Sequence, residues 1–135
     1  MSAENVAVVR TFFELFDEDR LEEMKDLLAD DFHWTYHGPA SLPWAGEYRG
    51  AAGFDRFFEV VHDLIDVEAC EAYEYLDAGD DVVVLGFSRT RILANDARYE
   101  AQWINIFRLR DGRIARYLDL FDTARVVEAL QAPPT

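Results

Sequence analysis

Only one cysteine, Cys70, occurs in the 135 residues, so no disulfide forms within the chain. It lies in VEACEAYEYL without a basic neighbour that would activate a thiol, and reads as packing. Cationic side chains are scarce. Thirteen lysines and arginines against 27 acidic residues leave a formal charge of -14, which opposes binding to nucleic acid and to anionic membranes. No apolar run approaches the roughly 20 residues of a membrane-spanning helix. The opening MSAENVAVVRTFFELF lacks the basic start and continuous apolar stretch of a signal peptide, so a cytoplasmic location is expected. Metal-ligand spacing is missing too: His33 and His37 would stand about 13 Å apart along a strand. With no cysteine cluster, no i, i+4 histidine pair and no carboxylate triad, neither a metal nor a cofactor is expected.

What is abundant is apolar and aromatic: half the residues are hydrophobic and 14% aromatic. The length fits one domain, 1–135, able to bury a core without staples. Ser2 caps a helix with Val6, Val9, Phe13 and Phe16 at spacings of three and four, and Asp19 caps a shorter one carrying Leu21, Met24, Leu27 and Leu28. Phe32 to Tyr36 alternates as a strand with Trp34 and Tyr36 on one face. Residues 37–50 hold three glycines and two prolines and read as a loop, whose Trp44 suggests an aromatic lid over a cavity. Ala51 to Leu64 returns to helical period, with Phe54, Phe57, Phe58 and Val61 as its stripe. Four long strands follow, Val67–Leu76, Val82–Leu93, Tyr99–Leu109 and Ile114–Phe121, pairing as an antiparallel meander. Thr123 caps a final helix, Ala124 to Leu130. Helices first and a curved sheet afterwards is an α+β arrangement, with the early helices covering the inner face of the sheet.

The hairpin QWINIFRLRDGRIARYLDLFD concentrates the candidate chemistry. A three-residue loop, Arg110-Asp111-Gly112, with Gly112 left-handed, would pair Leu109 with Arg113, Asn105 with Tyr117 and Trp103 with Asp119. One face then reads Trp103, Asn105, Phe107, Ala115, Tyr117, Asp119 and Phe121. The other reads Ile104, Ile106, Ile114, Leu118 and Leu120, with Arg108 and Arg116 toward the turn. A two-residue turn at Asp111-Gly112 would separate Asn105 from Asp119, because a one-residue slip inverts every side chain. Asp119, between two leucines, needs a partner or a proton if buried. It is either a general acid or base with a raised pKa or the partner of an ion pair or hydrogen bond.

The element order, with Leu28-Ala29-Asp30-Asp31-Phe32, Tyr48-Arg49-Gly50 before a helix, and Phe107 through Ile114 followed by Leu118-Asp119-Leu120-Phe121-Asp122, resembles the SnoaL-like and ketosteroid-isomerase-like branch of the nuclear transport factor 2-like superfamily. The resemblance implies a cone: a bent mixed or antiparallel sheet around a closed-ended pocket. The isomerases' general-base aspartate falls at Tyr36, their phenolic tyrosine at Phe12 and their protonated aspartate at Asn105, so their mechanism is not kept, although Asn105 retains a hydrogen-bond donor. The arginine of limonene epoxide hydrolases falls at Arg89, their final-strand aspartate at Asp119, and their strand aspartate at Arg91. The polyketide cyclases of the SnoaL type, with one acidic base near the last strand, are violated least. The resemblance thus turns Arg89 toward the pocket, whereas Arg91 reads as solvent-facing opposite Glu100.

The resulting expectation is a pocket for a hydrophobic, aromatic or polycyclic small molecule. Trp34, Trp44, Trp103, Tyr117, Phe121 and Phe57 form its wall, Asp119 is its acid or base, and Arg89, Asn105 and Tyr36 steady an oxygen that gains charge. The alternative is a binding or interaction module without catalysis. The aliphatic reverse face of the sheet is expected to form a homodimer.

Overall fold

The computed structural model describes residues 2–134 apart from the side chain of Ser2, so the cap expected there lies outside the described residues. The elements run α1 (Ser2–Asp17), α2 (Leu21–Lys25), β1 (Leu28–His37), β2 (Gly46–Arg49), α3 (Gly50–His62), β3 (Ile65–Ala78), β4 (Asp81–Ile92), β5 (Arg98–Arg110), β6 (Arg113–Phe121) and α4 (Thr123–Gln131). The six strands form one curved sheet in the order β2-β1-β6-β5-β4-β3. The meander β3 to β6 is antiparallel as expected, while β1 adds to β6 in parallel. This is an α+β fold on a mixed sheet.

Helix α1 buries Val9, Phe12 and Phe13, the i, i+3, i+4 stripe of its sequence, on the inner face of the sheet. It ends in a Schellman motif: Arg20 N–H donates to Leu15 C=O at 2.9 Å and Asp19 N–H to Phe16 C=O at 3.0 Å. Asp19 takes the left-handed φ of 58° that this motif requires. Asp19 therefore terminates α1; the cap position of α2 is Arg20. Asp122, not Thr123, likewise occupies the cap position of α4. Helix α3 sends Phe54 and Phe57 into the core, and α4 adds Val126 and Ala129.

The Pro/Gly-rich segment departs from the expected loop in two ways. Gly46 to Arg49 is an edge strand on β1, pairing Tyr48 with Trp34. Trp44 is only 1% exposed and Leu42 2%, so these two side chains anchor an otherwise exposed segment in the core. Tyr48 fastens it by donating from its hydroxyl to the Trp44 carbonyl at 2.8 Å.

The β5–β6 turn also differs from expectation. Arg110 pairs with Arg113, leaving the two-residue turn Asp111-Gly112 with φ of 53° and 76°, both positive as a type I′ turn demands. Its predicted cost, the separation of Asn105 from Asp119, is cancelled one step later. Leu109 pairs with Ile114 but Arg108 with Arg116, so Ala115 is an extra residue, a β-bulge. The bulge turns Ile114 inward together with Ala115, against the outward place expected for Ile114, and returns Tyr117, Asp119 and Phe121 to the inner face. The pairs become Asn105 with Asp119 and Trp103 with Phe121.

Candidate functional site

Inside the curve of the sheet lies a cavity of about 860 Å³. Its back wall is built by strand alternation: Trp34 and Tyr36 of β1, Tyr117, Asp119 and Phe121 of β6, Trp103 and Asn105 of β5. Helices α1 and α3 close it from the other side with Phe12, Phe13, Phe57 and Phe58. The rings are stacked in pairs. Trp34 lies between Tyr117, with centroids 4.7 Å apart and planes 6° from parallel, and Phe57 at 3.9 Å; Tyr36 stacks on Phe121 at 5.4 Å. Trp103 lies over Gly86, where an added Cβ would come within 2.0 Å of the indole, and it donates from Nε1 to Ser88 Oγ at 2.8 Å.

Asp119 sits at the centre of this wall, 4% exposed. Asn105 Nδ2 donates to its Oδ1 at 2.8 Å, and Trp34 Nε1 points at its Oδ2 from 3.4 Å. The Tyr117 hydroxyl donates in turn to Asn105 Oδ1 at 3.0 Å, which fixes the amide so that its nitrogen faces the carboxylate. Burial lifts the Asp119 carboxyl to about 7, the hydrogen bonds from Asn105 and Trp34 working in the opposite direction. A carboxyl poised there accepts and releases a proton with comparable ease near neutral pH. Burial and the neighbouring Asp119 push the hydroxyls of Tyr36 and Tyr117 well above the ordinary phenol range, so both stay protonated. The Cys70 thiol, pushed up to about 11 by burial, is likewise neutral.

Of the expected site residues, Asp119, Tyr36 and Asn105 meet in the cavity, and so do Trp34, Trp44, Trp103, Tyr117, Phe121 and Phe57. Arg89 does not. It projects from the outer face of β4, its side chain half exposed and 3.9 Å from Glu68, opposite Glu100. Arg91 also faces outward, with Asp66 and Asp96 as partners, and pairs with Arg98 instead of Glu100 because the connection to β5 is longer than two residues. Asn105 gives one amide N–H to Asp119 and accepts from Tyr117 on its oxygen, so it positions the carboxylate. Three hydroxyl residues not expected there, Ser88, Thr90 and Tyr99, also line the inner wall. Counting by twos from Val82 and Val84 along β4 would have found the first two.

The mouth lies between the α1–α2 turn, α2 and the outer half of α3, where exposed Asp19, Glu22, Asp55, Glu59, His62 and Asp63 line the cavity. Lys25 pairs with Glu22 and Asp55 at 2.9 and 3.0 Å but is not itself in the lining. Among the described residues, no lysine or arginine lines the cavity.

The family profile of the SnoaL-like domain matches residues 9–117. The chain belongs to the SnoaL-like domain family. Solved relatives of this SnoaL-like protein agree in fold. A protein of unknown function from Burkholderia pseudomallei K96243, described as NTF2-like, is 26% identical, with 98% of this chain and 100% of that one covered and a TM-score of 0.86. A Mesorhizobium loti protein described as a candidate SnoaL-like polyketide cyclase is 14% identical over 84% of this chain and 95% of its own, at a TM-score of 0.68. A Catenulispora acidiphila protein with a ketosteroid isomerase-like fold, in complex with trimethylamine, is 16% identical over 84% and 83%, at a TM-score of 0.70. No functionally curated protein matches the sequence. Among the described residues, no helix is long and apolar enough to cross a membrane.

Proposed function

We propose that this SnoaL-like protein binds a flat, apolar, aromatic or polycyclic small molecule in its cavity and exchanges a proton with it through Asp119, without a cofactor. One observation carries the reading: a single carboxyl, held near 7 by burial, at the centre of an aromatic wall in a cavity of about 860 Å³. Stacked rings supply area for a planar ligand, and the low-dielectric surroundings make one proton transfer effective. Tyr36, the neighbour of Asp119 across the β1–β6 ladder and a lining residue of the cavity, supports a role in meeting a polar atom of the ligand. Asn105 and Trp34 orient the carboxylate.

Replacing Asp119 by Asn tests this. On a panel of cyclisable polyketides, enolisable ketones and epoxides, the variant should turn over any substrate of the parent at least about 100-fold more slowly. Equal rates would remove Asp119 from the chemistry. A second reading, a binding module without catalysis, is favoured by the loss of Arg89 from the pocket and the engagement of Asn105, which leave few donors for a developing oxyanion. It gains if the parent binds apolar dyes yet turns over nothing on the panel.

A homodimer through the outer face of the sheet belongs to the same proposal. Ile104 is 42% exposed there, beside half-buried Ile106, Leu118 and Leu120, while α4 directs its own apolar residues into the core. An aliphatic patch on a sheet face favours association.

A further inference from the structure

We infer that the ligand of this cavity carries a positive charge, an organic ammonium group seated against the Asp119 carboxylate inside its ring of aromatic side chains, with the apolar remainder of the molecule filling the space toward the mouth. The inference rests on the cavity being the ligand site and adds the chemical class of what enters it.

Three independent observations lead there. First, among the described residues, no cationic side chain faces the Asp119 carboxylate. Its partners Asn105 and Trp34 are neutral donors, and the arginine expected to face it stands on the outer surface. A buried carboxylate without a cation must take up either a proton or a positively charged ligand. Second, the strand register surrounds it with aromatic side chains. Tyr36 is its neighbour on β1, Trp34 and Tyr117 lie one pleat to one side, and Trp103 and Phe121 one pleat to the other. A carboxylate set among aromatic side chains suits a quaternary or tertiary ammonium group, whose charge the carboxylate meets and whose alkyl groups the rings pack against. Third, the route in has one sign of charge: beyond His62, the titratable side chains of the mouth are Asp19, Glu22, Asp55, Glu59 and Asp63. Lys25 offsets two of these, and the chain as a whole is at -14. Such a funnel raises the encounter rate of cations and repels anions. An enolate, phenolate or carboxylate would find no lysine or arginine among the described residues of the cavity.

Binding of a cation then displaces the proton of Asp119 to the buffer, so affinity should rise with pH. The groups facing Asp119 from the packed elements are Tyr36 on β1, Tyr117 on its own strand, Tyr99 on β5 and Cys70 on β3. Burial pushes each of them upward, leaving them neutral through the same range. Helices α1 and α3 present phenylalanines at that depth, with the mouth carboxylates and His62 farther out.

The test uses three shape-matched probes whose charges do not depend on pH: trimethyl(2-naphthylmethyl)ammonium, its carbon isostere 2-neopentylnaphthalene, and 2-naphthylmethanesulfonate. Binding to the unmutated protein is followed by calorimetry from pH 5.5 to 8.5 and repeated with His62→Gln to set aside the one histidine of the mouth. At pH 8 the ammonium should bind at least tenfold more tightly than the isostere and the sulfonate weakest of all. The ammonium's affinity should fall by up to about 30-fold on going to pH 5.5, as Asp119 takes its proton back. An isostere that binds as well as the ammonium, or an ammonium affinity flat across this range, overturns the cation assignment while leaving the cavity as a ligand site. If none of the three binds, the cavity reading falls with it.

Discussion

Asp119 is a stability liability whose size can be worked out. Its carboxyl ionises near 3.8 in the unfolded chain and near 7 in the fold, a gap worth about 4 kcal/mol at roughly 1.4 kcal/mol per pKa unit. The sign follows from the raised folded value. The unfolded chain gives up this proton first, so the contribution is fully present below about pH 3.8, erodes as pH rises, and is gone once pH passes about 7. Replacing Asp119 by Asn removes that dependence and sacrifices about 1 kcal/mol of hydrogen bonding, since one amide oxygen cannot serve both Asn105 and Trp34. The difference in unfolding free energy, parent minus variant, should therefore fall by about 2–3 kcal/mol between pH 5 and pH 8. Asp31, Glu68 and Asp81, whose carboxyls are lowered by Arg110, Arg98 and Arg108, titrate below this window and cancel in the difference. Urea unfolding at fixed protein concentration, with unchanged m values as the check on the transition, measures it. Parallel pH profiles for parent and variant would refute the buried, uncompensated carboxyl and with it both the proton exchange and the cation assignment.

Asn105→Leu removes the closest donor to Asp119, so the carboxyl should titrate above its parent value, readable in the carbon NMR shift of labelled aspartate; no change would mean that Asn105 does not position it. Trp44→Ala should cost about 3–5 kcal/mol, the range for emptying a core tryptophan site, whereas a loss near zero in thermal or urea unfolding would show a loose lid. Leu118→Asp should convert a sedimenting dimer to monomer, while a monomeric parent at micromolar concentration would dispose of the sheet-face interface.

Legibility in the sequence followed the range of the forces involved. The helices of Val9 and Phe13 and of Phe54 and Phe57 were plain because a helical stripe is a local signal. The aromatic face of the last hairpin was found with a wrong turn, because the sequence shows Asp111-Gly112 but not the bulge at Ala115 that offsets it. The inward place expected for Arg89 comes from the resemblance to the limonene epoxide hydrolases, and the pattern of its own strand offers no correction. Strand β4 is apolar on both faces near its start, and farther along it turns Ser88 and Thr90 inward and Phe87 outward, the reverse of hydrophobic-in. A polar-lined cavity and an apolar outer face together invert the rule by which a strand is oriented. Proline and glycine mark the segment of Trp44 as a loop over the cavity, and nothing local says that its tryptophan will be buried. The parallel pairing of β1 with β6 had no local trace at all.

That pairing sets the order in which the molecule can become useful. The contact from Trp34 to Asp119 spans 85 positions of chain, and Tyr36 waits just as long for its neighbour on the last strand. During synthesis, β1 and β2 emerge early and stand beside an empty slot, while β3, β4 and β5 zip together through short connections. Until β6 inserts between β1 and β5, there is neither carboxylate nor closed wall, and aliphatic strand edges lie open to other chains. A ligand therefore cannot template early folding; it can only reward the final docking, by mass action on the finished molecule. Fragments that stop before residue 113 should be blind to the ligand and prone to aggregate, so ligand-dependent protection from proteolysis reports completion of the whole sheet.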